Sequence, residues 1–420
     1  MTDIRFIDKP CGAGKTTEQI ASLDPRRQYL IVVPFLSEVD RWKNQAGIPL
    51  EAAPDDSNKS DWLRENVLEG NNIVCTHKLF DLVDLDRTDL SEYHVLIDEV
   101  FDCVESIHGV KEEVFEKVYI GEGYAVVDPC TGRVTPTAKW ITHSQEAEKL
   151  APTVRNDLYQ KAKQGSLYKV EGKGFFVSIV PVELFTSPLS CTVLTYQAES
   201  SQMVGYLRRL GIPFRIDRSD DSAFKHGLRQ RLEVKDIPAL RDTQMTHTAQ
   251  EKMRKEGAKK VSTALMNLRG RELKGVEAEN IMLSCNKSKW HSQNDQPKGL
   301  FAQGSKLSLC NFLPKTTRGT NKYRHCSHAL YLNDLRLNPA EKEWLGWNKE
   351  QEDQWALSEL IQWVMRSRLR EGDYVSLYLA SPRMKALLED FLDNKEEAVS
   401  FADEFVNDSQ LDDAVTLLAA

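Results

Sequence analysis

The chain contains no apolar run approaching the roughly 18 residues of a membrane span, so no membrane partner is expected. Its first residues lack a basic-then-apolar leader, and the expected location is cytoplasmic. The eight cysteines (Cys11, Cys75, Cys103, Cys130, Cys191, Cys285, Cys310, Cys326) are scattered and none forms a C-x-x-C pair. That pattern argues against a zinc ribbon or a disulfide framework and for reduced thiols. His325-Cys326-Ser327-His328 has metal-binding residue types but lacks a second ligand pair. A basic excess is also missing, since the net charge is −8. Nearly all of it sits in residues 393–420, where eight acids face one base, Lys395. The remaining body is close to neutral, which leaves room for a basic groove.

What the chain has is length for two or three domains and apolar content for their cores: 420 residues, 41% hydrophobic and 28% charged. Short apolar runs at 4–7, 29–33, 72–77, 93–99 and 191–196 alternate with helix-like stretches. Unbroken apolar strands are those buried on both faces, so an α/β fold with a parallel sheet is expected. Residues 103–189 break the pattern. A helix-like stretch over 104–117 precedes turn-punctuated β sequence, read as an inserted β-rich subdomain. The polar stretch 217–222 marks a boundary. Beyond it the alternation resumes: helical 246–268, strands at 280–284 and 328–332, a helix over 355–370, a strand at 373–379 and a helix at 384–392.

The stretch Asp8-Lys9-Pro10-Cys11-Gly12-Ala13-Gly14-Lys15-Thr16-Thr17 follows the first strand and opens a helix. A glycine-rich turn there presents backbone N–H groups to phosphates. Lys15 then reaches the β/γ-phosphates and Thr16 ligates Mg²⁺. Lys9 stands where the usual spacing has its first Gly, so the match is partial. Asp98-Glu99 ends an apolar strand about 80 residues on. There an Asp can hold Mg²⁺ and the adjacent Glu can deprotonate the attacking water.

Taken together, Cys11–Thr17 and 96–101 resemble motifs I and II of superfamily 2 helicases, the DEAD/DEAH-like group. Val33-Pro34-Phe35-Leu36 and Val74-Cys75-Thr76-His77 are similar to the motifs between them, and Val193-Leu194-Thr195-Tyr196 to motif III without its usual Ser-Ala-Thr. Thr316-Thr317-Arg318-Gly319-Thr320-Asn321 resembles motif V. Gln362 to Arg370 resembles motif VI with Met365 in place of Gly. On a helix Arg366 and Arg370 are i, i+4, and the two are expected to face the nucleotide together. The overall pattern looks like compact helicase-like proteins of phages and mobile elements.

The resemblance implies an α/β fold of two tandem RecA-like parallel-sheet domains with an inserted β-rich subdomain in the first. The expected bounds are 1–217, 218–392 and an acidic tail at 393–420. It implies an ATP-dependent helicase or translocase acting with ATP and Mg²⁺ in the interdomain cleft. Catalysis would rest on Glu99, Asp98, Lys15, Arg366, Arg370 and Gln362, with Thr16 and Asp98 on the metal. The nucleotide would be held by Pro10, Cys11, Gly12, Ala13, Gly14, Lys15, Thr16, Thr17 and Gly319. Single- or double-stranded nucleic acid, DNA favoured over RNA, would contact Pro34, Phe35, Thr76, His77, Asn286, Lys287, Thr316, Arg318 and Thr320. Such hydroxyls, amides and bases grip backbone phosphates without reading sequence. The tail is a candidate segment for a protein partner. The rival reading is an ATP-gated nucleic-acid or protein-binding regulator that does not unwind. A small-molecule P-loop kinase leaves the later motifs unexplained.

Overall fold

The computed structural model describes residues 2–84, 87–145, 154–292, 294–317 and 320–393. The acidic tail beyond Asp393, and Arg318 and Gly319 of the fifth motif, lie outside the described residues.

Two parallel sheets succeed one another along the chain. The first contains β1 (Asp3–Asp8), β2 (Gln28–Val33), β3 (Ile73–Thr76) and β4 (Tyr93–Asp98). An insertion holds β5 (Val104–Ser106), β6 (Ala125–Val127), β7 (Val134–Pro136), β8 (Leu167–Val170) and β9 (Phe175–Ile179). The first sheet then resumes with β10 (Ser190–Thr195) and β11 (Arg215–Arg218). Its order is β11-β1-β10-β4-β2-β3, and every pairing is parallel. Leu30, Ile31, Val32 and Val33 are wholly buried, as a strand covered on both faces requires. The second sheet contains β12 (Leu232–Asp236), β13 (Ile281–Ser284), β14 (Asn311–Phe312), β15 (His328–Tyr331) and β16 (Val375–Leu379). Its order is β12-β16-β15-β13-β14, again all parallel. The architecture is thus two tandem RecA-like parallel-sheet units with a β-rich insertion in the first.

The insertion has its own core of Phe115, Tyr119, Trp140, Tyr159 and Phe176 around the antiparallel sheet β5-β9-β8 and the β6/β7 hairpin. It corrects the helix expected over 104–117. Val104 and Ser106 face inward with Glu105 outward, and β5 pairs with β9 while the Ile107 N–H extends the ladder to Phe176. Helix begins only at Glu112.

Two further corrections concern the second unit. The helical stretch 246–268 is two helices, His247–Lys252 and Lys255–Gly270, separated by extended backbone at Met253 and Arg254. Buried Gln250 ties the first of them to the carbonyls of Met245 and Leu332 and to the N–H of Asn286, at the ends of the strands. The long helix runs Lys349–Val364, not to 370. N–H bonds from Arg366 to Trp363 and from Ser367 to Val364 tighten its end. Ser367, in extended conformation, then caps a short 3-10 turn, Arg368–Glu371.

The two units also meet through the insertion. Helix Pro339–Leu345 of the second unit lies on β5, β8, β9 and helix Gln202–Arg209. Trp344 contacts the rings of Tyr168 and Tyr206, and the Ser106 N–H donates to Glu341 Oε1 at 3.1 Å.

Candidate functional site

A parallel sheet aims the carboxyl ends of its strands at one edge, and ligands bind outside that edge. Asp8, Val33, Thr76, Asp98 and Thr195 all end their strands there. β10 lies between β1 and β4, so the loop after β1 and the acids after β4 stand two strand spacings apart. That is about 10 Å, with Thr195 in the gap.

The loop after β1 is anchored first. Buried Asp8 accepts N–H bonds from Gln197 (2.8 Å) and Ala198 (3.1 Å), with Arg218 3.6 Å away. Burial pushes its carboxyl up, and those N–H groups pull it back down. Gly12 and Gly14 both adopt φ near +80°, a conformation that turns the loop's backbone inward at little cost only for glycine. Lys15 opens helix Lys15–Ala21 and curls over the loop, donating to the carbonyls of Lys9 (2.7 Å) and Pro10 (3.2 Å). Lys9 itself is paired with Glu18.

Asp98 is held by two donors. Thr16 Oγ1 donates to Oδ1 at 2.9 Å, and Trp42 Nε1 donates to Oδ2 at 3.1 Å. Desolvation raises its pKa, the two hydrogen bonds oppose this, and the charges of Glu99 and Glu38 add to the rise. Glu99 is one of four non-glycine residues at positive φ among the described residues, at 88°. Such backbone costs on the order of 1–3 kcal/mol and persists only where the surroundings enforce it. Here the Glu99 N–H donates to Leu194 O at 2.9 Å, and Thr195 Oγ1 donates to Glu99 Oε1 at 2.9 Å.

The second unit closes the other side. Arg366, Arg370, Arg324, Asn321 and Glu371 line a cleft of about 350 Å³ together with the loop, Asp98 and Glu99. Arg366 is 6% exposed, and its Nε has no acceptor among the described residues. Burial lowers the Arg370 pKa, and neighbouring Arg366 and Arg324 lower it further. Among the described residues only Arg324 of these three has an anionic partner, Glu371 at 3.2 Å. Crowded guanidiniums with an unmet donor, facing a lysine and a glycine cradle, fit a polyphosphate. Thr16 and Asp98, both oxygen donors already side by side, fit Mg²⁺.

Other expected site residues fall elsewhere. Gln362 is outside the cleft lining, buried in helix Lys349–Val364 with Nε2 3.4 Å from Ser358 Oγ. Pro34 lines this same cleft instead of a separate strand surface. Asn286 is buried, its amide spent on His247 O and Glu251 Oε1, so it is a strut and offers no N–H to a strand. His77 rests its ring against Phe101. Thr76 caps the helix that starts at His77. Phe35 is exposed, Thr316 is exposed, Lys287 is exposed beside Asp295, and Thr320 accepts from the Lys322 N–H.

Arg366 and Arg370 share the cleft without sharing a helix face, because the 3-10 turn redirects the chain between them. Trp42, Glu38 and Arg41, all on helix Leu36–Gln45, were missed, as were Arg324 and Asn321. Glu38 and Trp42 stand i, i+4, the one signal that both face inward.

Residues 228–392 match the model of the YonV C-terminal Rossmann-like domain. The chain is 24% identical over 434 residues, 94% of this chain and all of the relative, to the SPbeta prophage-derived uncharacterized protein YonV of Bacillus subtilis (strain 168). Similar solved structures include an apo XPD at 13% identity, TM-score 0.49, covering 92% of this chain and 95% of that one. S. tokodaii Xpd4 is similar at 12% identity, TM-score 0.46, covering 93% and 94%. A variant of S. cerevisiae Dbp5 bound to RNA and ADP BeF3 is similar at 8% identity, TM-score 0.41, covering 94% and 84%. No helix among the described residues is long and apolar enough to cross a membrane.

Proposed function

We propose that the chain is a nucleic-acid-dependent ATPase of helicase or translocase type, working in the cytoplasm on DNA in preference to RNA. One observation carries the reading: Lys15, the Thr16–Asp98 pair and Glu99 stand across one cleft from Arg366 and Arg370, and the Arg366 Nε has no acceptor among the described residues.

ATP hydrolysis needs a water placed and deprotonated, and charge neutralised on the transferring phosphoryl group. Glu99 takes the proton of the attacking water, and Thr195 fixes which way its carboxylate points. Lys15, released from the loop carbonyls, meets the β/γ oxygens. Arg366 and Arg370 meet the same charge from the other wall. Mg²⁺, held by Thr16 and Asp98, would supply further neutralisation of the phosphate oxygens. Trp42 keeps Asp98 oriented toward that task. The arginines and the loop belong to different units, so nucleotide binding draws the units together. Release then reverses this and alters the grip on a strand near Phe35, Thr76, Lys287, Thr316 and Thr320.

The test is the ATPase rate with single-stranded DNA, duplex DNA or RNA added, with Glu99→Gln as control. One of the three is expected to stimulate hydrolysis, and Glu99→Gln to cost about 10²–10⁴-fold. No stimulation by any of them sinks the reading. The alternative, an ATP-gated clamp that grips without unwinding, draws support from the contacts of helix Pro339–Leu345 with the insertion, which tie the units at a second place. ATPase without strand displacement would favour it.

A further inference from the structure

Among the described residues, three arginines have a buried Nε with no acceptor: Arg64, Arg231 and Arg366. Arg64 has Asp61 and Glu65 within ion-pair reach. Arg366 lines the nucleotide cleft. Arg231 remains, with no side-chain hydrogen bond or ion pair among the described residues. Its guanidinium folds back over Gly227 of its own helix, where a Cβ would stand 2.2 Å from Nη2. The guanidinium rests against the bare backbone of Gly227, and no anion meets it among the described residues. A partly buried charge left so is costly unless a ligand completes it.

Arg231 lines a cavity of about 360 Å³ at the amino ends of β12, β15 and β16, the sheet edge opposite the carboxyl ends where β13 and β15 approach Asn286 and Asn333. Arg368 lines it too, its Nε held by Tyr374 O at 2.7 Å, which fixes the plane of its guanidinium. Ser327 and His328 add a hydroxyl and an imidazole, and the single lining carboxylate, Glu233, is taken up by Ser376 (2.8 Å) and Lys235 (3.0 Å). A third arginine, Arg229, stands at the cavity already paired with Asp393 at 2.9 Å. Arg368 also begins the 3-10 turn whose Arg370 and Glu371 line the nucleotide cleft, so the cavity and the cleft share that turn.

We propose that this cavity is a second phosphate-binding site, with Arg231 and Arg368 as its forks, taking either a backbone phosphate of a polynucleotide strand or a free phosphate. Planar guanidiniums are the side chains that grip tetrahedral oxyanions by paired N–H bonds. The assignment stands whether or not the cleft hydrolyses ATP.

The test titrates inorganic phosphate calorimetrically into the full chain carrying Lys15→Ala, so that the P-loop is silenced. The same chain is then measured with Arg231→Gln or with Arg368→Gln added, each checked for native circular dichroism. Phosphate is expected to bind the Lys15→Ala chain and to weaken by about tenfold or more with either added substitution. A short oligothymidylate is the second probe. Arg231-dependent binding of the oligonucleotide well above that of phosphate assigns the site to a strand, and equal binding assigns it to free phosphate. Binding of both probes unaffected by Arg231→Gln and Arg368→Gln, or no binding of either probe to the Lys15→Ala chain, overturns the proposal.

Discussion

Trp42→Phe isolates one hydrogen bond at the centre of the proposed site. Trp42 is wholly buried, and its single polar atom donates to Asp98 Oδ2 at 3.1 Å. Phenylalanine keeps most of the ring volume and removes the N–H. Thr16 still holds Oδ1, so the carboxylate keeps one anchor and loses the other. A hydrogen bond to a charged group is worth about 1.5–3 kcal/mol net. If that energy is spent on aiming Asp98 at Mg²⁺, its loss weakens metal-dependent nucleotide binding by about 10- to 100-fold. The assay is fluorescence titration of mant-ADP with Mg²⁺ and with EDTA. Wild type and variant should agree within about twofold in EDTA and diverge only when metal is present. Equal weakening under both conditions would mean that Trp42 merely supports packing. No weakening under either would remove it from the site.

Three further outcomes follow from the same geometry. Glu341 is pushed up to about 7, chiefly by burial, so between the ordinary glutamate range and pH 7 the folded chain holds a proton that the unfolded chain has released. Stability should therefore fall as pH rises through 7, by at most about 3 kcal/mol, and Glu341→Gln should flatten the change in a comparison of unfolding midpoints at pH 5 and 8. Thr195→Val keeps the buried shape and removes the hydroxyl that holds Glu99, so kcat for ATP should drop about tenfold or more with KM little changed; an unaltered kcat would separate Thr195 from catalysis. Arg366→Gln should cost about 10³-fold in ATPase while raising the melting temperature of the nucleotide-free chain, because a buried charge with no anionic partner among the described residues is removed.

The residues that meet in the cleft are those whose types stand out in the chain: a glycine-rich turn before Lys15-Thr16, two acids ending an apolar strand, and arginines after a long helix. These are short-range patterns, and a parallel sheet gathers them because it aims all its strand ends one way. What was hidden depends on contacts between distant segments. β5 is a strand because β9, far along the chain, pairs with it, and nothing local to Val104 announces that. Trp42 reads as core from its helix periodicity, and it is core. Only the docking of helix Leu36–Gln45 over the end of β4 aims its N–H at Asp98. Arg366 and Arg370 were assigned to one cleft for a helical reason that does not hold, since the chain turns between them after Val364. Asn286 shows the converse error. A polar residue in the right motif position is occupied by Glu251 and a backbone carbonyl, which no pattern of types can reveal.

On the proposed reading, the strain in the cleft has a direction. Lys15 is bent onto its own loop, Glu99 sits at positive φ, and burial together with the nearby Arg366 and Arg324 lowers the affinity of Arg370 for its proton. The Glu99 backbone and the crowded arginines raise the free energy of the nucleotide-free chain, and a triphosphate relieves the arginines while replacing the loop carbonyls as partners of Lys15. Binding energy is then available to pull the second unit toward the loop. That pull is opposed where helix Pro339–Leu345 rests on the insertion, because Trp344 between Tyr168 and Tyr206 and Glu341 on the Ser106 N–H join the units there as well. Closure must therefore pivot about that contact or break it. A cross-link between Ser106→Cys and Glu341→Cys distinguishes the two. If nucleotide-dependent stimulation by a strand survives the cross-link, the contact is the hinge; if basal ATPase survives while stimulation is lost, the contact has to open for the strand to be moved.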